Sequence, residues 1–113
     1  MSFFIEPENI QKFGELCVMN KYCVIDFYAN WCGPCKMLTN ELPIKVQKSG
    51  IDLRDVIFMK IDIDRLPDIA KVYDVEKIPH IIFYKHGMLQ SKYIRGNKPD
   101  EIIEEVKKMI RDK

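Results

Sequence analysis

Cys32 and Cys35 stand two residues apart in the run Trp31-Cys32-Gly33-Pro34-Cys35-Lys36. Thiols at that spacing can close a disulfide across one tight turn, or they can supply half of a tetrahedral metal site. The metal alternative needs further ligands at regular spacing. The other cysteines, Cys17 and Cys23, make no second Cys-x-x-Cys, and His80 is an isolated addition. The expectation is therefore no metal, and thiol–disulfide exchange as the chemistry. Exchange requires a thiolate, and an ordinary thiol with a pKa of about 8.5 is only about 3% ionised at pH 7. The best attacker has a pKa near ambient pH, so something in the fold must lower that of one cysteine.

The flanking pattern indicates what does so. Cys23 to Ala29 is β-branched and aromatic on both alternating faces, which predicts a strand buried between two layers of helices. The motif follows it directly. Met37, Leu38, Leu42 and Val46 then recur at helical intervals, with Ser49-Gly50 closing the helix and Pro43 expected to kink it. Cys32 thus falls at a strand-to-helix junction, where the helix N-terminus favours an anion by roughly 0.3–1 kcal/mol. That is less than one pKa unit, so the Cys35 thiol or local N–H groups must add to it. Cys35, inside the first turn, is expected to be the more buried thiol. Cys32 is then the attacker, and Cys35 resolves the mixed disulfide once it loses its proton. Asp26 lies in the middle of the buried strand, where an unpaired carboxylate is costly. Desolvation raises the pKa of such a carboxyl and can make it a useful general base for Cys35. Lys60, a second charge in an otherwise apolar strand over Val56 to Ile63, could moderate that shift.

The remaining elements read as follows. Phe3-Phe4-Ile5 suggests a short strand, and Glu6-Pro7 a helix start before Ile10, Phe13 and Leu16 or Cys17. A short helix over Pro67 to Tyr73 leads to Ile78-Pro79. Strands over His80 to Lys85 and Met88 to Arg95 flank His86-Gly87, a hairpin turn. Pro99, Asp100 and Glu101 open a final helix whose stripe is Ile102, Ile103, Val106, Met109 and Ile110. The early alternation of strand and helix predicts parallel strands with right-handed crossovers, and the hairpin adds an antiparallel pair. The expected class is α/β: a central mixed sheet of four to five strands flanked by four helices, in one domain over residues 1–113.

Composition excludes several roles. A chain of 113 residues that is 47% hydrophobic and 31% charged suits one globular core. A net charge of +1 argues against nucleic-acid or anionic-membrane binding. The basic residues near the C-terminus interleave with Glu104, Glu105 and Asp112, as on a solvated helix face. Met1 to Pro7 has neither the basic segment nor the apolar length of a secretory signal, and no stretch is long and apolar enough to span a bilayer. A cytoplasmic monomer is the expectation. Cys17 and Cys23 read as small buried hydrophobes, with a disulfide between them or dimerisation through Cys17 as alternatives. His86 reads as a solvated turn residue.

Asp26-Phe27-Tyr28-Ala29 followed by Trp31-Cys32-Gly33-Pro34-Cys35-Lys36, with Ile78-Pro79 ahead of a strand, Gly87 in the hairpin and Gly96 after it, resembles the thioredoxin family over essentially the whole chain. The resemblance implies the thioredoxin fold and a protein-disulfide reductase. Cys32 would attack, Cys35 resolve, Asp26 act as buried acid/base and Lys60 stand beside it. It implies no cofactor beyond a redox-active Cys32–Cys35 disulfide. Partners would be protein disulfides and an NADPH-dependent flavoprotein thioredoxin reductase. Pro79 would be a cis-proline that exposes the Ile78 backbone to an extended substrate. Trp31, Ile78 and Gly96 would form the contact surface. Gly33-Pro34 resembles the dipeptide of reductants, whereas oxidant and isomerase relatives usually carry His at the second position. Three departures stand out: Tyr28 where the family usually has Trp, His80 where it usually has Thr, and Pro43 rather than Asn40 as the helix proline. His80 is expected to be structural, with tuning of charge near the dithiol as the alternative. The competing class is a thioredoxin-fold interaction or chaperone module with incidental redox activity.

Overall fold

In the computed structural model, which describes residues 2–113, the chain runs β1 (Phe4–Ile5), α1 (Ile10–Met19), β2 (Tyr22–Tyr28), α2 (Gly33–Lys48), β3 (Val56–Asp62), α3 (Pro67–Val72), β4 (His80–Lys85), β5 (Met88–Arg95) and α4 (Pro99–Arg111). The strands form one sheet ordered β1-β3-β2-β4-β5. β2 lies at its centre, parallel to β3 and antiparallel to β4. This is the mixed five-stranded sheet with four helices that the pattern predicts.

Both faces of β2 are covered, which is why its sequence is apolar on both alternations. On one face Tyr22 and Val24 join Phe58, Ile81 and Phe83 against Leu38, Leu42 and Val46 of α2 and the apolar stripe of α4. On the other, Cys23, Ile25 and Phe27 join Met59, Ile61 and Ile82 against Phe13 and Cys17 of α1 and Ile69 and Ala70 of α3. Each side chain's position in the alternation therefore decides which pair of helices it meets.

The start of α1 differs from expectation for a local reason. The first helix does not start at Glu6-Pro7. Asn9 caps it, its Oδ1 accepting from the Lys12 N–H at 2.8 Å, so an Asx cap outcompetes the proline signal. Ile10 consequently lies on the exposed side, and Phe13 and Cys17 carry the buried stripe. Helix α2 continues through Pro43 to Lys48, its two halves anchored on one face by Leu38, Leu42 and Val46.

The β4–β5 turn shows why a histidine serves there. His86 and Gly87 have φ of +53° and +77°, the paired positive values of a type I′ turn. The His86 N–H donates to the Lys21 carbonyl at 2.7 Å while its ring lies by Tyr22, centroids 5.6 Å apart. That tie to the segment before β2 supports a residue less suited to positive φ than Asn.

Candidate active site

Cys32 is the N-cap of α2, with the extended φ of −91° and ψ of 112° that a cap adopts, and Pro34 sits in the first turn. A helix N-cap normally offers a side-chain oxygen to the backbone N–H two or three residues on. Here sulfur takes that place: the Cys35 N–H donates to Cys32 Sγ at 3.2 Å. The sulfur is thus held over the positive end of a sixteen-residue helix. In the thiolate form this contact becomes a charge-assisted hydrogen bond. The donor in this contact is a backbone N–H, one of the two donor types expected from the sequence.

Cys32 and Cys35 form a disulfide, their Cα atoms 5.3 Å apart. Both are buried among Ala29, Tyr28, Ile63 and Ile78, so the expected contrast in exposure is small: 5% for Cys32 and 1% for Cys35. Cys32 Sγ lies 3.9 Å from the Ile78 carbonyl oxygen. The Ile78-Pro79 bond is cis, with Ile78 half-buried and Pro79 buried. The Gly96 N–H donates to the Pro79 carbonyl at 2.9 Å, and Gly96 has a φ of +92° that suits glycine. Ile78, Pro79 and Gly96 are therefore brought together, with Ile78 beside the dithiol. Trp31 is 69% exposed next to it, and its indole N–H donates to Asp64 Oδ2 at 2.9 Å. Gly33 is exposed, with open space where a Cβ would stand.

Asp26 shares its sheet face with Tyr22 and Val24, the side covered by α2. It is 1% exposed, and among the described residues neither carboxyl oxygen has a hydrogen-bond partner. Burial drives its pKa from 3.8 up to about 8, with Lys60 opposing the rise. Lys60 is directly alongside, as the register partner of Asp26 on β3. A cleft of about 240 Å³ lined by Cys35, Lys60, Tyr28, Thr39 and Asn40 opens the surroundings of Cys35 to solvent.

His80 faces the other way. Opposite Phe27 on β2, it belongs to the α1/α3 side, buried against the Phe27 ring and stacked on Tyr93 at 5.3 Å. Burial, then Arg95, holds its pKa below the ordinary range, with Asp74 opposing. This placement fits the reading of His80 as a structural residue of the strand. Cys17 and Cys23 are both buried and unbridged. A hydrogen bond with Cys23, then burial, pushes the Cys17 thiol well above the ordinary range, while the same contact lowers that of Cys23.

Sequence reasoning missed Asp64 and Glu6. Asp64 orients Trp31 from 33 residues away, and Glu6 Oε1 accepts from the Tyr28 hydroxyl at 2.6 Å across 22. Neither carries a local signal, since nothing near a surface carboxylate in the chain says which ring it will meet.

The thioredoxin family model matches residues 5–108. Thioredoxin H2 of Arabidopsis thaliana is 38% identical over 92% of this chain and 82% of its own length. The mitochondrial thioredoxin-3 of Saccharomyces cerevisiae is 43% identical over 79% of this chain and 67% of its own. The crystal structure of oxidised yeast mitochondrial thioredoxin 3 superposes with a TM-score of 0.82 at 37% identity, covering 93% of this chain and 94% of that one. With a Cys32–Cys35 disulfide capping α2 on this fold, the chain belongs to the thioredoxin family and is a dithiol–disulfide oxidoreductase.

Proposed function

We propose that the reduced chain transfers two electrons to disulfides of other proteins, with Cys32 attacking, Cys35 resolving and Asp26 handling the proton. The observation that carries this reading is Cys32 as the sulfur cap of α2, with Asp26 buried beneath the same helix. The Cys32 thiolate attacks one sulfur of the target, forms the mixed disulfide and releases a target thiolate. Cys35 then loses its proton and attacks Cys32 Sγ. The second target thiolate leaves, and the Cys32–Cys35 disulfide remains. With a pKa of about 8, Asp26 is roughly one-tenth carboxylate at pH 7, enough to accept the Cys35 proton and return it later.

Target peptides would lie extended along Ile78, with Pro79 and Gly96 behind it and Trp31 at the side, while Gly33 and Pro34 keep the turn low enough for close approach. No cofactor beyond the disulfide is needed for this cycle. An NADPH-dependent flavoprotein thioredoxin reductase would restore the dithiol, and the working form would be a cytoplasmic monomer consisting of the single domain. A solved structure with a TM-score of 0.83 at 35% identity, covering 96% of this chain and 99% of that one, concerns thiol resolution in a yeast mitochondrial 1-Cys peroxiredoxin via glutathione/thioredoxin systems. That supports folded thiol proteins as one substrate class. In the test, Cys35→Ser is incubated with oxidised protein extract. Mixed disulfides through Cys32 should accumulate, released by reductant and absent in Cys32→Ser. If nothing is trapped, and the wild type fails to reduce insulin disulfides, the reading fails.

A further inference from the structure

Lys60 is half-buried, and among the described residues no carboxylate lies within salt-bridge distance of it. Two aromatic rings hold its ammonium instead: Tyr28 at 4.8 Å from Nζ to the ring centroid, and Phe4 at 5.5 Å. Both distances lie within the reach of a cation–π attraction. Rings retain an ammonium without cancelling its charge, whereas a carboxylate partner would neutralise it. Lys60 therefore keeps a full charge to present to Asp26, its neighbour across one strand spacing on the same sheet face.

The Tyr28 ring is itself tied down. Its hydroxyl donates to Glu6 Oε1 at 2.6 Å, and the segment carrying Glu6 is held a second time by the Arg65 guanidinium donating to the Pro7 carbonyl at 3.1 Å. Burial, then Glu6, pushes the Tyr28 hydroxyl pKa up, so it remains a neutral donor across the working pH range. Phenylalanine could pack here but could not make this tie. Tyr28, Lys60 and Cys35 also line one cleft, so the ring that holds the ammonium borders the space around the resolving cysteine. The charged groups around the arrangement are Asp26 on the neighbouring strand, Glu6, Asp62 and Arg65 around Tyr28, and Lys36 at the cleft.

We propose that Tyr28, latched by Glu6, is a positioning residue for the resolving step: with Phe4 it clamps the Lys60 ammonium facing Asp26 and so sets how readily that carboxyl exchanges the Cys35 proton. The inference rests on the assignment of Asp26 as the base, and two separate readouts distinguish the two claims. The first is an NMR titration of the Asp26 carboxyl carbon in the oxidised protein. The second is the pH profile of mixed-disulfide resolution by the reduced protein.

Lys60→Met should raise the Asp26 midpoint most. Tyr28→Leu, which frees the ammonium to swing toward water, should raise it by about half a unit to one unit. Tyr28→Phe and Glu6→Gln, which keep the ring but weaken the latch, should raise it by a smaller amount. If Lys60→Met moves the midpoint and Tyr28→Leu does not, the clamp is overturned. Should Tyr28→Leu fail to fold, unmoved midpoints in both Tyr28→Phe and Glu6→Gln overturn it equally. If the midpoints move but the resolution profile does not follow, the clamp stands and the assignment of Asp26 as base fails.

Discussion

Replacing Asp26 with asparagine should make the oxidised protein more stable, and the gain should grow with pH. The side chain is 1% exposed and neither oxygen is hydrogen-bonded among the described residues, so the ionised form is disfavoured by burial, with Lys60 opposing. Between the ordinary value of 3.8 and about 8, the folded chain keeps a proton that the unfolded chain has released. Raising pH through that window therefore draws the equilibrium toward the unfolded state. Each pKa unit is worth about 1.4 kcal/mol, so the full penalty approaches about 6 kcal/mol above pH 8. About 4 kcal/mol of it should develop between about pH 5 and about pH 9. Asparagine has the same shape and no charge to desolvate, so its curve lacks this decline. Urea unfolding followed by circular dichroism, on oxidised wild type and Asp26→Asn at several pH values, measures the difference directly. Oxidation removes titration of Cys32 and Cys35 from the comparison. Two stability curves running parallel, within about 1 kcal/mol across that range, would refute the reasoning and place Asp26 among ordinary carboxylates.

Two further outcomes follow from the same geometry. Leu42→Ala, at a fully buried position between α2 and the sheet, should cost about 2–5 kcal/mol in urea unfolding while leaving the Cys32 cap intact. His80 has a pKa held below 6.5, so the unfolded chain binds its proton first, and this group's stability is lost as pH falls below that value. His80→Phe, compared with wild type by thermal melts at pH 7 and about pH 5, should lose less stability on acidification; an equal loss would show that the imidazole titrates freely.

Much of the fold was legible because its signals are local. The two-sided apolar run of β2, the stripe of α4 and the turn at His86-Gly87 each occupy consecutive residues, and that turn signal placed the hairpin strands at their observed bounds. Helix α1 was misplaced at its start because two local signals competed, Pro7 and the Asn9 side chain, and only the backbone path shows which one is used.

For the dithiol itself, the sequence by itself determined the chemistry. Cysteines two residues apart at this strand-to-helix junction put one sulfur at the helix cap and the other in its first turn. The surroundings were decided by the tertiary structure. Sheet register set Lys60 beside Asp26 and turned His80 to the opposite face. Packing of distant segments brought Glu6 and Phe4 onto the Tyr28–Lys60 pair and Asp64 onto Trp31. Spacing along a chain governs what a local motif can do, because backbone geometry repeats. The charge and burial around that motif depend on which elements meet, and that follows from the whole core closing at once.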